Sequence, residues 1–200
     1  MKIIRPASIA ALALGGTLLM GSLHAQHYDP IFDFIPLGGR SLLSQTLEGA
    51  SPADVSDLLS GQRSAAEWAD YLRARTQTLP ALQDLYEEDL LTLADYLSFT
   101  MPLPADRLPA DPAAADWSTL LPMDGRDMAL EYCQSCHIIT VTVTQDRTRE
   151  AWLGTMSNPS HVEIKLSPQQ REALADYLVR NAGIPIEQVP EDLRAGGASY

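Results

Sequence analysis

Cys133-Gln134-Ser135-Cys136-His137 decides how the rest of this 200-residue chain is read. Two cysteines separated by two residues and followed at once by histidine form the attachment sequence of a c-type haem. One helical turn sets the two sulfurs so that each can add to one of a porphyrin's two vinyl groups, leaving two thioether bonds. The next residue, His137, then lies under the ring with its imidazole available to the iron. Two other chemistries use paired cysteines. A zinc site needs about four ligands, and the chain holds no further cysteine. A thioredoxin-like redox pair accompanies a βαβ pattern, and no strand–helix alternation is visible. One covalent haem on Cys133 and Cys136 is the expectation.

The front of the chain points the same way. Lys2 and Arg5 precede an apolar run from Ile9 to Met20, and Leu23-His24-Ala25 offers a cleavage site. This is the three-part pattern of a secretory signal peptide over residues 1–25. The run is short for a bilayer span; an uncleaved anchor is the alternative, and once cleaved the chain is not expected to be an integral membrane protein. With both cysteines committed to the motif, the exported chain has none left for a structural disulfide. Hydrophobic content of 46% is enough for one ordinary domain or two small ones. The formal charge is −12, and loss of Lys2 and Arg5 makes the processed chain more acidic still. Such a surface repels nucleic acid and anionic membranes and favours a partner with a basic docking surface.

A Pro/Ala/Asp-rich stretch over residues 101–116 reads as a linker. The halves on either side of it resemble each other. Arg63 and Trp68 are five apart, as are Arg147 and Trp152; Leu93-Ala-Asp-Tyr-Leu97 repeats as Leu174-Ala-Asp-Tyr-Leu178; and Met101-Pro102 echoes Ile184-Pro185. Such self-similarity is a sign of duplication. Ser167-Pro168-Gln169-Gln170 starts a helix that runs to Ala182 and stops at Gly183. Ser51-Pro52 starts another in the same way, and a third is expected over Arg147 to Met156, closed by Ser157-Asn158-Pro159. Ile138 to Val143 alone has strand character, and its place after the motif suits a loop packed on the haem.

Residues from about Asp124 to Ala182 resemble a class I c-type cytochrome domain. In that family a helix leads into Cys-x-x-Cys-His and crosses the C-terminal helix, a glycine and an aromatic meeting a Leu and an aromatic. Gly125 and Tyr132 match on the first helix, Leu174 and Tyr177 on the second. The resemblance implies an all-α fold of two small cytochrome-c-like units: 26–100 without haem, 117–183 with one haem c, and 184–200 an extended arm. It also implies haem attachment outside the cytoplasmic membrane, hence a periplasmic protein. The family's axial Met falls at Pro159 in this chain, which leaves two candidates. Met156 is one helical turn beyond Trp152, and a thioether raises the potential. His161 sits in the following loop, where distal ligands commonly lie. Met156 is preferred and His161 is its rival.

Arg147 and Arg149 are candidates to meet the haem propionates, whereas Met101, Met123 and Met128 suit packing. The function expected is single-electron transfer to a redox partner protein or oxidoreductase, with no substrate turned over. The alternative is a haem enzyme or sensor whose open distal position binds peroxide or a small gas.

Overall fold

The computed structural model describes residues 29–161 and 163–194. The expected leader over 1–25, His27 and the last six residues of the C-terminal arm lie outside these. The described residues from 31 to 194 form one compact unit. No strand occurs among the described residues, and the fold is all-helical as expected.

The first half holds α1 (Gly39–Leu47), α2 (Pro52–Ser60), α3 (Ala65–Arg75) and α4 (Glu87–Thr100). The short α5 (Trp117–Leu120) leads into the second half. There α6 (Gly125–Met128) continues through a wider helical turn over Ala129–Cys133, and α7 (Thr140–Val143), α8 (Arg149–Met156), α9 (Pro168–Asn181) and α10 (Glu191–Arg194) follow. Local chemistry places the starts. Ser51, Thr148 and Ser167 each accept a backbone N–H at the beginning of their helix, with proline in the first turn of α2 and α9. Ser64 with Glu67, Asp124 with Asp127 and Ser167 with Gln170 close reciprocal capping boxes.

The two halves repeat each other in three dimensions. Gly39 opens α1 where it crosses α4, and Gly125 opens α6 where it crosses α9. A methyl group at either glycine would run into a tyrosine, Tyr96 in one half and Tyr177 in the other, and would stand 3.1 Å from ring Cδ1 in both. Only a glycine lets these helices approach so closely. Two backbone bonds also match: Leu103 N–H donates to the Leu59 carbonyl (2.8 Å) and Ile184 N–H to the Val143 carbonyl (3.0 Å). The repeat therefore pairs Leu103-Pro104 with Ile184-Pro185, two residues beyond the Met101-Pro102 pairing suggested by the sequence. Helical turns at Ala105–Arg107 and Ile186–Gln188 fall in register with it.

Two hydrophobic cores fill the unit, and each borrows from the other half. Ile35, with Phe32 and Phe34 beside it, packs into the core of the second half. Trp117 and Leu121 pack into the core of the first. Ile35 and Leu121 are equivalent residues, each preceding the Pro and Gly that open its own half. The exchange continues in hydrogen bonds. Tyr96 Oη donates to the Pro122 carbonyl and Tyr177 Oη to the Pro36 carbonyl, both at 2.7 Å. Arg40 reaches Asp127 at 2.6 Å, while its counterpart Arg126 reaches the Phe32 carbonyl at 2.9 Å. Reciprocal contacts of this kind characterise an isologous interface between two copies.

These exchanges revise three expectations. Trp117 and Leu121 belong with the first core rather than with a second domain beginning at 117. Met101 and Leu103, inside the stretch read as a linker, are buried in the first core. Thr140–Val143 is a helical turn and not extended, because Thr144 N–H bonds the Thr140 carbonyl and the Thr140 hydroxyl reaches the Leu193 carbonyl. The β-branched residues that suggested a strand are buried on that turn, so packing overrides local propensity.

Gly125→Ala or Gly39→Ala is expected to destabilise the chain by about 1–3 kcal/mol, the ordinary cost of overpacking. Gly154→Ala, at an exposed position in α8 where nothing lies within 4 Å, should instead stabilise by about 0.5–1 kcal/mol. Denaturant unfolding of the three variants checks both signs.

Candidate haem cavity

The helix that opens at Gly125 loosens as it nears the motif. Gln134 N–H bonds the Ala129 carbonyl five residues back (3.3 Å) instead of the usual four. Such wide turns are frequent at functional sites. The turn delivers Cys133, half-buried, and then Cys136 and His137, both exposed. The Ser135 hydroxyl holds the turn by donating to the Tyr132 carbonyl at 2.7 Å.

Cys133, Cys136 and His137 line the wall of one cavity of about 210 Å³. Met156 from α8 and His161 from the following loop line it as well, so all five sequence-identified residues converge there. Leu174 and Leu178 of α9, Leu166, Ile164 and Val141 make the lining mostly apolar, and Trp152 adds a ring. A larger groove of about 380 Å³ runs beside α4 and α9 and is lined by Asp95, Glu172, Asp176 and Arg180 among others. None of the five candidates lines it; the residues with ligand chemistry are in the smaller cavity.

Two polar groups, Trp152 Nε1–H and Arg147, stand at this largely apolar wall. Trp152 Nε1–H is buried with no acceptor among protein atoms. Its counterpart Trp68 shares that property, so the orphaned donor belongs to the repeat and is not peculiar to the cavity. Arg147 lies over the Trp152 ring (5.2 Å) and lines the cavity, donating to Thr155 and Gln145. Arg149 does not line it. It is paired with Asp176 on α9 at 2.5 Å, which removes it as a partner for anionic groups in the cavity. Met128 is fully buried in the second core, as its packing role requires.

Burial pushes the Cys133 thiol up to about 11, with neighbouring Cys136 adding to the rise and a hydrogen bond with Thr142 opposing it. At neutral pH it is a thiol, not the thiolate that disulfide exchange needs. Among the described residues no group of three or more His, Cys, Asp or Glu is arranged to hold a metal ion by itself. The described residues thus offer zinc no ligand set around these cysteines.

In the first half the equivalent positions are Leu47, Ala50 and Ser51 where the second has Cys133, Cys136 and His137. Leu72 stands for Met156. Leu47, Leu58, Leu72, Leu79 and Leu82 are all buried, and Trp68 is fully covered. Arg63 stacks over both Trp68 (4.4 Å) and Tyr71 (4.3 Å). Leucines and a stacked guanidinium close this half.

Arg171 is a residue that sequence reading missed. From α9 it donates to the carbonyls of Met156 (2.6 Å), His161 (3.3 Å) and Ile164 (2.8 Å). The signal available was its counterpart: the same place in the repeat holds Leu90, buried in the first core. No known protein family, no curated protein and no solved structure matches this chain.

The start of the motif helix carries a pH-sensitive joint between the halves. Asp124 accepts Arg40 N–H (2.8 Å) and Asp127 accepts the Arg40 guanidinium. Burial pushes the Asp127 carboxyl up to about 7, the Asp124 carboxylate adds to the rise and Arg40 opposes it. A folded-state value above the unfolded one near 3.8 means that stability from this group is full below about 4 and is lost as pH climbs through about 7. Asp127→Asn should flatten that part of the stability profile between pH 4 and 8. Denaturant midpoints at several pH values, compared with the parent, give the answer; parallel profiles would contradict it.

Proposed function

We propose that the chain carries one covalent haem in its second half and transfers single electrons in the periplasm. The observation that carries this reading is the meeting of Cys133, Cys136, His137, Met156 and His161 on one largely apolar cavity. The resemblance to class I c-type cytochromes supports it, as does the crossing of Gly125 with Tyr177 that the resemblance implies.

When bound, the haem supplies an iron that cycles between Fe(III) and Fe(II). The chain's own groups do the rest. Cys133 and Cys136 would hold the ring through two thioethers, each S–H adding across one vinyl group without net oxidation. His137 would offer an imidazole nitrogen to the iron. Met156, buried on the α8 face that lines the cavity, would be the preferred second ligand, with His161 its rival. Leu174, Leu178 and Trp152 would keep water from the ring, and such burial disfavours the charged ferric state. Arg147 would meet the acidic edge.

A bound haem would exchange single electrons with a redox partner protein, and the acidic surface favours a partner with a basic face. No helix among the described residues is long and apolar enough to cross a membrane, in keeping with a carrier that works beside an oxidoreductase. Two candidate donors facing the cavity favour a six-coordinate iron over the open distal position of a peroxidase or gas sensor.

The reduced protein, produced with the cytochrome maturation machinery, should give a low-spin six-coordinate spectrum. The oxidised protein should show the weak near-infrared charge-transfer band of thioether ligation. Met156→Ala should abolish that band and lower the potential, whereas His161→Ala should leave both intact. A high-spin spectrum produced by His161→Ala alone would reassign the ligand. A high-spin parent would turn the reading towards the open-site enzyme or sensor.

A further inference from the structure

We propose that Arg171 is the positioning residue of the distal wall, a clamp that holds Met156 and His161 at the cavity and so controls whether an outside ligand can reach the iron. The proposal rests on the haem reading above and deepens it.

The geometry is specific. One side chain on α9 bonds three carbonyls from three successive parts of the wall: the last residue of α8, the loop turn, and the approach to Leu166. Nη1 takes the Met156 carbonyl, while Nη2 takes both His161 and Ile164. A guanidinium suits this task, because its fixed planar fork presents several donors at once. Among the described residues the backbone bonds of the wall are short-range: His161 N–H to Asn158, Ile164 N–H to His161 and Leu166 N–H to Ile164. Loop residues held only by local turns open readily. Arg171 ties them to a helix whose other face is buried in the core through Leu174, Tyr177 and Leu178.

The repeat supplies a control. The first half lacks the cysteines and the histidine, and at the place of Arg171 it has Leu90, buried in its leucine-filled core. A clamp is present where a cavity must be held open beside a ligand, and absent where packing fills the space. Arg171 also lines the cavity itself, so its loss would both loosen the wall and widen access.

The test uses the full-length chain in two forms, haem-free and haem-loaded. In the haem-free form, Arg171→Leu should raise hydrogen exchange at the amides of His161, Ile164 and Leu166 by tenfold or more, with exchange at Leu93 and Leu97 in α4 unchanged. In the loaded form, intact mass should still show covalent haem, while imidazole should bind the ferric protein at least tenfold more tightly than it binds the parent. Arg171→Lys, which keeps the charge but not the fork, should fall between. Arg171→Gln serves in the same two measurements if the leucine variant does not fold. Unchanged exchange together with unchanged imidazole affinity overturns the clamp. Changed exchange in a chain that takes up no haem under any condition keeps the clamp and removes the haem reading.

Discussion

Everything in this fold depends on a close approach made twice, glycine against tyrosine at the crossing of α1 with α4 and of α6 with α9. A side chain on either glycine would force the helices apart. Each tyrosine then spends its hydroxyl on the opposite half, bonding the proline carbonyl that precedes the other glycine. A net hydrogen bond of this kind contributes only about 1 kcal/mol, but the pair fixes how the halves sit. Ile35 and Leu121, next to those prolines, are thereby placed in each other's cores. The first half is thus a structural partner of the second and completes its core, which is a stronger reason for its presence than docking alone.

The functional difference between the halves comes down to few side chains on a shared frame. Leu47, Ala50, Ser51, Leu72 and Leu90 occupy the places of Cys133, Cys136, His137, Met156 and Arg171. In the first set, four members are apolar and the space is packed. In the second, donors and thiols face a cavity lined by α8 and α9. Close packing makes a void costly unless something fills it. The apolar cavity beside two cysteines and a histidine is where the proposed haem would make its apolar contacts.

Much of this was legible because it is local. Ser-Pro starts, capping boxes and the Gly183 stop lie within a turn or two of the residues they govern, and the five site residues announce themselves by chemistry. Pro36-Leu-Gly-Gly-Arg40 and Pro122-Met-Asp-Gly-Arg126 also match across the repeat, but Gly, Pro and Arg are too common in turns for the match to reveal the crossing by itself. The exchange of Ile35 and Leu121 depends on partners distant in the chain and leaves no local trace. Ile138 to Val143 has strand character because β-branched residues favour extension, and its place after the motif suits a loop, yet Thr140–Val143 is a helical turn with Thr140, Thr142 and Val143 buried. Arg171 looks like one more polar residue on an amphipathic helix; only the carbonyls it meets give it a role.

The central claim is a single haem joined to the second half of the chain. Intact-mass measurement of the exported protein, made in cells equipped for cytochrome maturation, tests it most directly. The mass should exceed that of the processed polypeptide by one haem, resist organic extraction, and lose the addition in a Cys133→Ser, Cys136→Ser variant. A mass equal to the bare polypeptide, with both thiols free to react, would contradict it.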